Sequence, residues 1–186
     1  RQQRDRATVD GWRYRVSWKP VPEPAAGPLS GTWLLAVPAG LADSELTVTI
    51  TQGLEKHGAH VVPVSVDGGM DRDGLAEALR GALGDESDAS VLSLLALDEE
   101  PCAGEPVVAA GLALTLRLVQ AAAGLDAGLR LWCASRGAVS VGRSDRLAST
   151  AQAQMWGLGR VAALEHPQIW GGLVDLPETL DERAVS

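Results

Sequence analysis

Short runs of apolar residues alternate with longer helical patterns along most of this chain. Residues 32–37 and 90–97 are apolar on both faces, which is typical of strands buried in a parallel sheet. Further strands are predicted at residues 59–66, with Pro63 as a possible interruption, and at 129–135 and 171–176. Helices are predicted at residues 44–57, 71–83, 105–123 and 148–165. The alternation predicts an α/β fold, a Rossmann-like parallel sheet with helices on both faces.

Size and charge exclude several classes of protein. A chain of 186 residues that is 46% apolar is globular, and it fits one domain or one half of a larger catalytic unit. Its net charge of −8 argues against nucleic acid or an anionic membrane as the main partner. No window is apolar enough to span a membrane, and the charged N-terminus does not resemble a signal peptide. Cys102 and Cys133 form no C-x-x-C motif, so we expect a cytoplasmic protein without disulfides or structural zinc.

The N-terminal region divides into three parts. We expect a mobile N-terminus at residues 1–10, a strand at 11–19, a proline-rich linker at 20–30 and the Rossmann-like subdomain at 31–186. Aromatic and apolar residues alternate with polar residues in the strand, so one face carries Trp12, Tyr14, Val16 and Trp18. This face needs a partner. It belongs either to an edge strand of this domain or to a strand that crosses to a neighbouring domain.

Two glycine-containing segments are possible nucleotide sites. The turn after the first strand, residues 38–43, has one glycine, and Pro38 removes an amide that a phosphate needs. We therefore interpret it as a plain turn. Residues 157–162 match G-x-G-x-x-A, but no strand precedes them, so these glycines are expected to allow close helix packing.

The residues of common enzymes are missing or misplaced. Short-chain reductases need a tyrosine followed four residues later by a lysine, but Tyr14 is followed by Trp18. Of the histidines, His57 and His60 flank a glycine, and His166 is expected to end a helix. The acidic runs at residues 85–86 and 98–100 are expected to be solvated loops.

A serine-rich loop follows the fourth strand. Ser135, Ser140 and Ser144 surround Arg136 and Gly137 at the carboxyl edge of the sheet, where ligands usually bind. A loop of this composition is most simply structural, with ligand binding as the alternative. We therefore assign no catalytic, cofactor-binding or metal-binding residue.

Several longer segments resemble a known family. The sequence W-G-L-G-R-V-A-A-L-E-H-P at residues 156–167 is followed by W-G-G-L-V-D-L-P at 170–177. Together they resemble ketoreductase regions of modular type I polyketide synthases, as do residues 12–20 (W-R-Y-R-V-S-W-K-P), 31–35 and 91–96. Fourteen arginines against two lysines, with no Phe or Asn, indicate a GC-rich genome, in agreement with the actinomycetes that make antibiotics with such synthases.

The resemblance implies the N-terminal structural subdomain of such a ketoreductase, with a degenerate nucleotide motif and no catalysis of its own. An adjoining catalytic subdomain would bind NADPH and reduce a β-ketoacyl chain to the β-hydroxyacyl form. That chain would be held by phosphopantetheine on an acyl carrier protein, and the catalytic half is expected to begin after Ser186. The expected partners are the catalytic subdomain and other synthase domains. The alternatives are a free-standing nucleotide-binding enzyme and an interaction module that docks a carrier protein or a neighbouring domain.

Overall fold

A computed structural model describes residues 11, 17–21, 27–125, 127–142 and 145–180. These residues form seven strands and four helices. The strands are β1 (Thr32–Pro38), β2 (His60–Val66), β3 (Asp88–Ser93), β4 (Pro101–Cys102), β5 (Glu105–Ala109), β6 (Gly128–Arg136) and β7 (Trp170–Leu176). The helices are α1 (Glu45–Lys56), α2 (Arg72–Leu83), α3 (Ala110–Ala123) and α4 (Thr150–Glu165).

Five of the strands form one parallel sheet in the order β2-β1-β3-β6-β7. The predicted α/β fold is therefore confirmed, and the strand order reverses between β1 and β3. Pro63 does not interrupt β2, and it lies opposite Leu35 of β1. Because β2 is an edge strand, a residue without an amide hydrogen is tolerated there.

Side-chain caps set the starts of three helices close to the predicted positions. The Ser44 hydroxyl accepts the amide of Thr47 at 3.2 Å before α1. The Asp71 carboxylate accepts the amide of Gly74 at 2.8 Å before α2. Ser149 caps α4 in the same way. Each cap satisfies an amide that the first helical turn leaves without a partner.

Two predicted elements differ from the structure. The helix expected at residues 105–123 begins only at Ala110, because Glu105–Ala109 pairs with Pro101–Cys102 in a hairpin. The turn of this hairpin contains Gly104 at a φ of +87°, a conformation that favours glycine. The strand expected at residues 90–97 ends at Ser93, and Leu95–Leu97 forms a 3-10 turn. The Ser93 hydroxyl accepts the amide of Leu95, which bends the chain away from the sheet.

The two faces of the sheet are covered unequally. Helices α2, α3 and α4 pack side by side on one face and enclose the larger apolar cluster, which includes Leu34, Leu79, Leu114 and Leu131. Helix α1 lies on the other face, where Ile50 joins a smaller cluster with Leu35, Val37, Leu94 and Ala134. No helix among the described residues is long and apolar enough to cross a membrane.

The predicted N-terminal strand lies mostly outside the described residues. Residues 1–10, 12–16 and 22–26 are not described, so both interpretations of the alternating aromatic face stay predictions. Ser17 to Lys19 are described and belong to no strand. Near the end of the linker, the Leu29 amide donates to the His57 carbonyl at 2.7 Å and ties the chain to the end of α1.

Candidate functional site

The crevice beyond β1 and β3 is where a sheet of this strand order usually binds a ligand. Here apolar side chains lie at this edge of the sheet. Leu94 follows β3, is fully buried, and donates its amide to the Ala36 carbonyl at 2.8 Å. Leu41 and Leu97 pack against the same cluster from the adjoining turns. Apolar residues therefore pack together at the carboxyl ends of β1 and β3.

The turn at residues 38–43 forms hydrogen bonds with the residues that begin α1. After Pro38, residues 39–41 form a 3-10 turn, and the amide of Ser44 donates to the Leu41 carbonyl at 3.1 Å. The Thr47 hydroxyl donates to the same carbonyl at 2.8 Å. Because the amide of Thr47 is bound by the Ser44 cap, few amides at the start of α1 are left for a phosphate. These contacts occupy the Leu41 carbonyl and the amides of Ser44 and Thr47 within the protein itself.

A groove of about 860 Å³ lies at the carboxyl ends of β6 and β7, beside the start of α4. The serine-rich loop predicted at this edge of the sheet forms one of its walls, although Arg143 and Ser144 lie outside the described residues. The polar and aromatic lining includes Trp18, Glu99, Arg136, Gln152, Trp156 and Asp175. This groove is the candidate functional site.

Asp175, near the end of β7, holds the loop that follows β6. The Ser135 hydroxyl donates to Asp175 Oδ1 at 2.7 Å. The amide of Ala138 lies 3.1 Å from both carboxylate oxygens, and the amide of Val139 donates to Oδ2 at 3.3 Å. The carboxylate therefore fastens the loop to the sheet and has little capacity left for a ligand.

Glu99 makes a second cross-link at the start of α4. Its Oε1 accepts hydrogen bonds from the Gln152 amide group at 2.6 Å and from the Ser149 hydroxyl at 2.7 Å. Gln152 in turn accepts the amide of Arg136 at 2.8 Å. The hydrogen bond from Gln152, followed by that from Ser149, lowers the pKa of Glu99, and the nearby charge of Arg136 adds to the shift.

Trp156 and Arg160 on α4 have the spacing that short-chain reductases use for tyrosine and lysine. Trp156 Nε1 donates to the Ser135 hydroxyl at 3.0 Å, and Arg160 follows four residues later with an exposed side chain. An indole N–H donates a hydrogen bond but cannot serve as the proton donor that a phenol provides. Tyr14 itself lies outside the described residues. This arrangement holds Ser135 in place and supplies no acid for a reduction.

Aromatic side chains form one rim of the groove. The rings of Trp18 and Trp156 meet edge to face, with centroids 5.4 Å apart and an interplanar angle of 76°. Beyond them a second depression of about 780 Å³ continues along α4. Val141 and Leu147 on the loop are largely exposed beside it. The rim is apolar surface that the described residues leave open to a partner.

The glycines of the G-x-G-x-x-A match lie inside α4, so they follow no strand. A Cβ at Gly159 would lie 2.5 Å from Leu173 Cδ1 and 3.0 Å from the Trp170 ring, which confirms the predicted close packing at this position. A Cβ at Gly157 would meet no described atom within 4 Å. The packing explanation is therefore wrong for Gly157 within the described part of the chain.

The histidines and cysteines assemble no reactive centre among the described residues. His57 and His166 end α1 and α4, as predicted for His166, and His60 begins β2. No group of three potential metal ligands occurs in the described ranges. Cys133 is completely buried, and burial raises the pKa of its thiol to about 12, so it is not a nucleophile at neutral pH.

Sequence reasoning missed the two carboxylates that organise the groove. The sequence predicts a solvated loop at Glu99, and its side chain is indeed exposed. It nevertheless accepts hydrogen bonds from Ser149 and Gln152, which follow it by 50 and 53 positions in the chain. Asp175 stands inside an apolar strand pattern, close to its carboxyl end. An acidic residue at that position in a buried strand is the one signal from which the sequence could have indicated it.

Comparisons with known proteins agree on one class. The family described as "Polyketide synthase extender module SpnB, Rossmann fold domain" matches residues 16–186. The chain is 51% identical over 178 residues to polyketide synthase GfsA of Streptomyces halstedii, which covers 95% of the chain and 2% of that protein. It is 44% identical over 182 residues to the pikromycin synthase component PikAII of Streptomyces venezuelae, covering 95% of the chain and 5% of that protein.

Solved structures give the same result. A C2-type ketoreductase from a modular polyketide synthase superposes with a TM-score of 0.84 at 44% identity, over 94% of this chain and 37% of that one. An A1-type ketoreductase superposes with a TM-score of 0.85 at 39% identity, over 95% of this chain and 37% of that one. The chain therefore spans little more than a third of these ketoreductases.

Proposed function

This chain belongs to the family of Rossmann-fold domains of polyketide synthase extender modules, and from that membership we propose that it is the structural subdomain of a ketoreductase. The apolar packing at the carboxyl ends of β1 and β3 carries the proposal. Leu94 is fully buried at the place where a nucleotide would bind, with Leu41 and Leu97 packed beside it. A subdomain with this packing supports catalysis elsewhere without binding NADPH itself.

The polar contacts of the groove support a scaffold role. Asp175 and Glu99 use their oxygens to join the loop after β6, the start of α4 and the segment after β3. A catalytic acid or base must be able to exchange a proton with the substrate, whereas these carboxylates accept hydrogen bonds from the protein itself. These hydrogen bonds make the walls of the groove rigid, and a rigid groove would fix the orientation of a domain that packs against α4.

The outer face of α4 is the surface that we assign to the catalytic subdomain. Val161 and Leu164 are 48% and 83% exposed there, and Gly157 leaves a depression on the helix beside Trp156. Exposed apolar side chains grouped on one helix mark an interaction site. The partner would be the NADPH-binding half, which reduces a β-ketoacyl chain carried by the phosphopantetheine of an acyl carrier protein.

Two assays on the isolated and completed protein test this proposal. NADPH binding and reduction of a simple β-ketoacyl thioester are measured with the chain alone and after addition of the catalytic subdomain. We expect neither binding nor turnover by the chain alone, and turnover on addition. Clear NADPH binding by the chain alone would overturn the proposal in favour of a nucleotide-binding enzyme.

A matched pair of variants tests the docking surface. Leu164→Asp together with Val161→Asp places two carboxylates on the outer face of α4, so we expect turnover of the reconstituted pair to fall at least about tenfold. Val48→Asp on α1 is the control, because Val48 is 45% exposed on the opposite side of the sheet. Equal turnover by the parent chain, the double variant and Val48→Asp would exclude α4 as the surface that contacts the catalytic subdomain. Binding of a carrier protein in place of the catalytic subdomain would favour the interaction module.

A further inference from the structure

Large apolar side chains surround the second depression, which continues along α4. They include Trp18, Val141, Leu147 and Trp156, and Gly157 lines the depression without a side chain. We call these five residues the socket. A Cβ at Gly157 would meet no described atom within 4 Å, so the depression reaches the backbone of the helix at this point. At about 780 Å³ it has room for large side chains of a partner.

The socket is accessible from outside the fold. Val141 is 60% exposed, Leu147 is 44% exposed and Trp18 is 41% exposed. Single apolar side chains are common on protein surfaces, but three exposed ones around one depression mark an interaction site. A partner that covers them would remove their apolar surface from water, which favours association.

The socket is continuous with the outer face of α4. Four exposed residues follow one another at positions i, i+3, i+4 and i+7 of this helix, namely Gly157, Arg160, Val161 and Leu164. This spacing places them on one side of the helix, whereas Gly159 is buried on the other side against β7. The outward side of a surface helix is normally polar, but here it carries two apolar side chains and a glycine. The surface that we assign to the catalytic subdomain therefore extends into the socket.

Arg160 gives the depression a positive charge. It is the one charged side chain among the described residues that line the depression, whereas the whole chain has a net charge of −8. An acidic side chain of a partner would therefore complement Arg160. A second copy of this chain is disfavoured as the occupant, because it would bring a further charge of −8 to the interface.

We propose that the catalytic subdomain inserts a large apolar side chain into the socket and places a carboxylate next to Arg160. Gly157 sets the depth of the socket, since any side chain at this position would occupy part of it. The chain covers 37% of each of the two matching ketoreductases, so most of each of those proteins lies outside the matched region and can supply such a side chain. This inference rests on the proposed function and names the contacts by which α4 recognises its partner.

Filling the socket separates recognition of the partner from stability of the chain. Gly157→Leu places a side chain in the depression. Gly81→Leu on α2 is the matched control, because Gly81 is also an exposed helical glycine with no described atom within 4 Å of an added Cβ. Both variants should be at least as stable as the parent chain in urea unfolding, since leucine favours a helix over glycine. In calorimetric titration with the separately prepared catalytic subdomain, Gly157→Leu should bind at least about tenfold more weakly than the parent chain, and Gly81→Leu should bind equally well.

Reversing a charge tests the contact at Arg160. Arg160→Glu should weaken binding at least about tenfold at low ionic strength, and the difference from the parent chain should shrink as salt is added, because salt screens exposed charges. Arg130→Glu is the control, because exposed Arg130 lies on β6 outside the depression. Equal effects of the two reversals would overturn the predicted pairing with a carboxylate.

Unchanged binding of Gly157→Leu would overturn the inference. A loss of stability of this variant in the chain alone would also overturn it, because residues of the chain itself would then occupy the socket. Dimerisation of the parent chain in analytical ultracentrifugation that Gly157→Leu abolishes would assign the socket to a second copy instead. Failure of the proposed function is distinguishable, because the parent chain itself would then not bind the catalytic subdomain, and the inference would fail with it.

Discussion

Replacing Asp175 with alanine removes the acceptor that fastens the loop after β6 to the edge of the sheet. Three donors lose this acceptor. They are the Ser135 hydroxyl, at 2.7 Å, and the amides of Ala138 and Val139, at 3.1 and 3.3 Å. The Ser135 hydroxyl keeps only a long contact to the Val174 carbonyl at 3.5 Å. Ser135 and Ala138 are buried, so water cannot simply replace the carboxylate at these two groups.

The expected loss of stability follows from these contacts. A hydrogen bond to a charged group contributes about 1.5–3 kcal/mol, and a buried donor left without an acceptor costs about 1–3 kcal/mol. The long contact to Val139 and the open groove reduce the total, because water reaches part of the site. We expect Asp175→Ala to lower the free energy of unfolding by about 3 kcal/mol, or the Tm by roughly 6–12 °C.

Thermal and urea unfolding of the variant against the parent chain measure this loss. Asp145→Ala is the matched control, because exposed Asp145 accepts the amide of Val141 at 2.9 Å, and the loss of this contact should cost less than about 1 kcal/mol. Asp175→Asn keeps one acceptor oxygen and should fall between the two. A loss for Asp175→Ala no larger than for Asp145→Ala would refute the assignment of this carboxylate as the anchor of the loop.

Three further predictions test other contacts. Gly159→Ala should destabilise the chain by about 1 kcal/mol in urea unfolding, because the added methyl group would collide with side chains of β7. Gly157→Ala should stabilise the chain by up to about 1 kcal/mol, because alanine favours a helix and no described atom lies near the added methyl group. Equal effects of the two substitutions would contradict this difference in packing. Because hydrogen bonds lower the pKa of folded Glu99, its contribution to stability is complete above the ordinary glutamate pKa of about 4.3 and is lost as pH falls through the folded value. The free energy of unfolding is therefore measured from pH 7 to pH 3 for the parent chain and for Glu99→Gln. The difference between the two proteins should narrow only at the acid end of this range. With a pKa of about 12, Cys133 should resist a thiol reagent at pH 8 until the chain is unfolded, and rapid native labelling would contradict its burial.

Much of the sheet was predictable because its determinants are local. Apolar runs mark β1, β6 and β7, and Ser44, Asp71 and Ser149 cap helices within one residue of the predicted starts. The sequence also showed directly that the first turn begins with Pro38 and contains a single glycine. In each case the deciding interaction joins residues a few positions apart, so a short window of sequence contains both partners.

The errors arose where distant pairing overrides a local pattern. Residues 105–109 have the composition of a helix start, but the hairpin with Pro101–Cys102 takes their backbone hydrogen bonds. The amide of Gly111 then donates to the Asp98 carbonyl at 2.9 Å, which fixes where α3 can begin. A Cβ at Gly111 would lie 2.7 Å from that carbonyl oxygen. Nothing within the helical pattern itself indicates this contact.

The sequence by itself determined the fold class, the family resemblance and the lack of a glycine-rich nucleotide turn, because each depends on neighbouring residues along the chain. Only the tertiary structure decided that Glu99 and Asp175 brace the groove and that the described helices cover the two faces of the sheet unequally. The first depends on side chains that meet across 40 to 53 positions, as from Ser135 to Asp175 or from Glu99 to Gln152. The second depends on which face each helix reaches, and that is settled only when all the strands are in register.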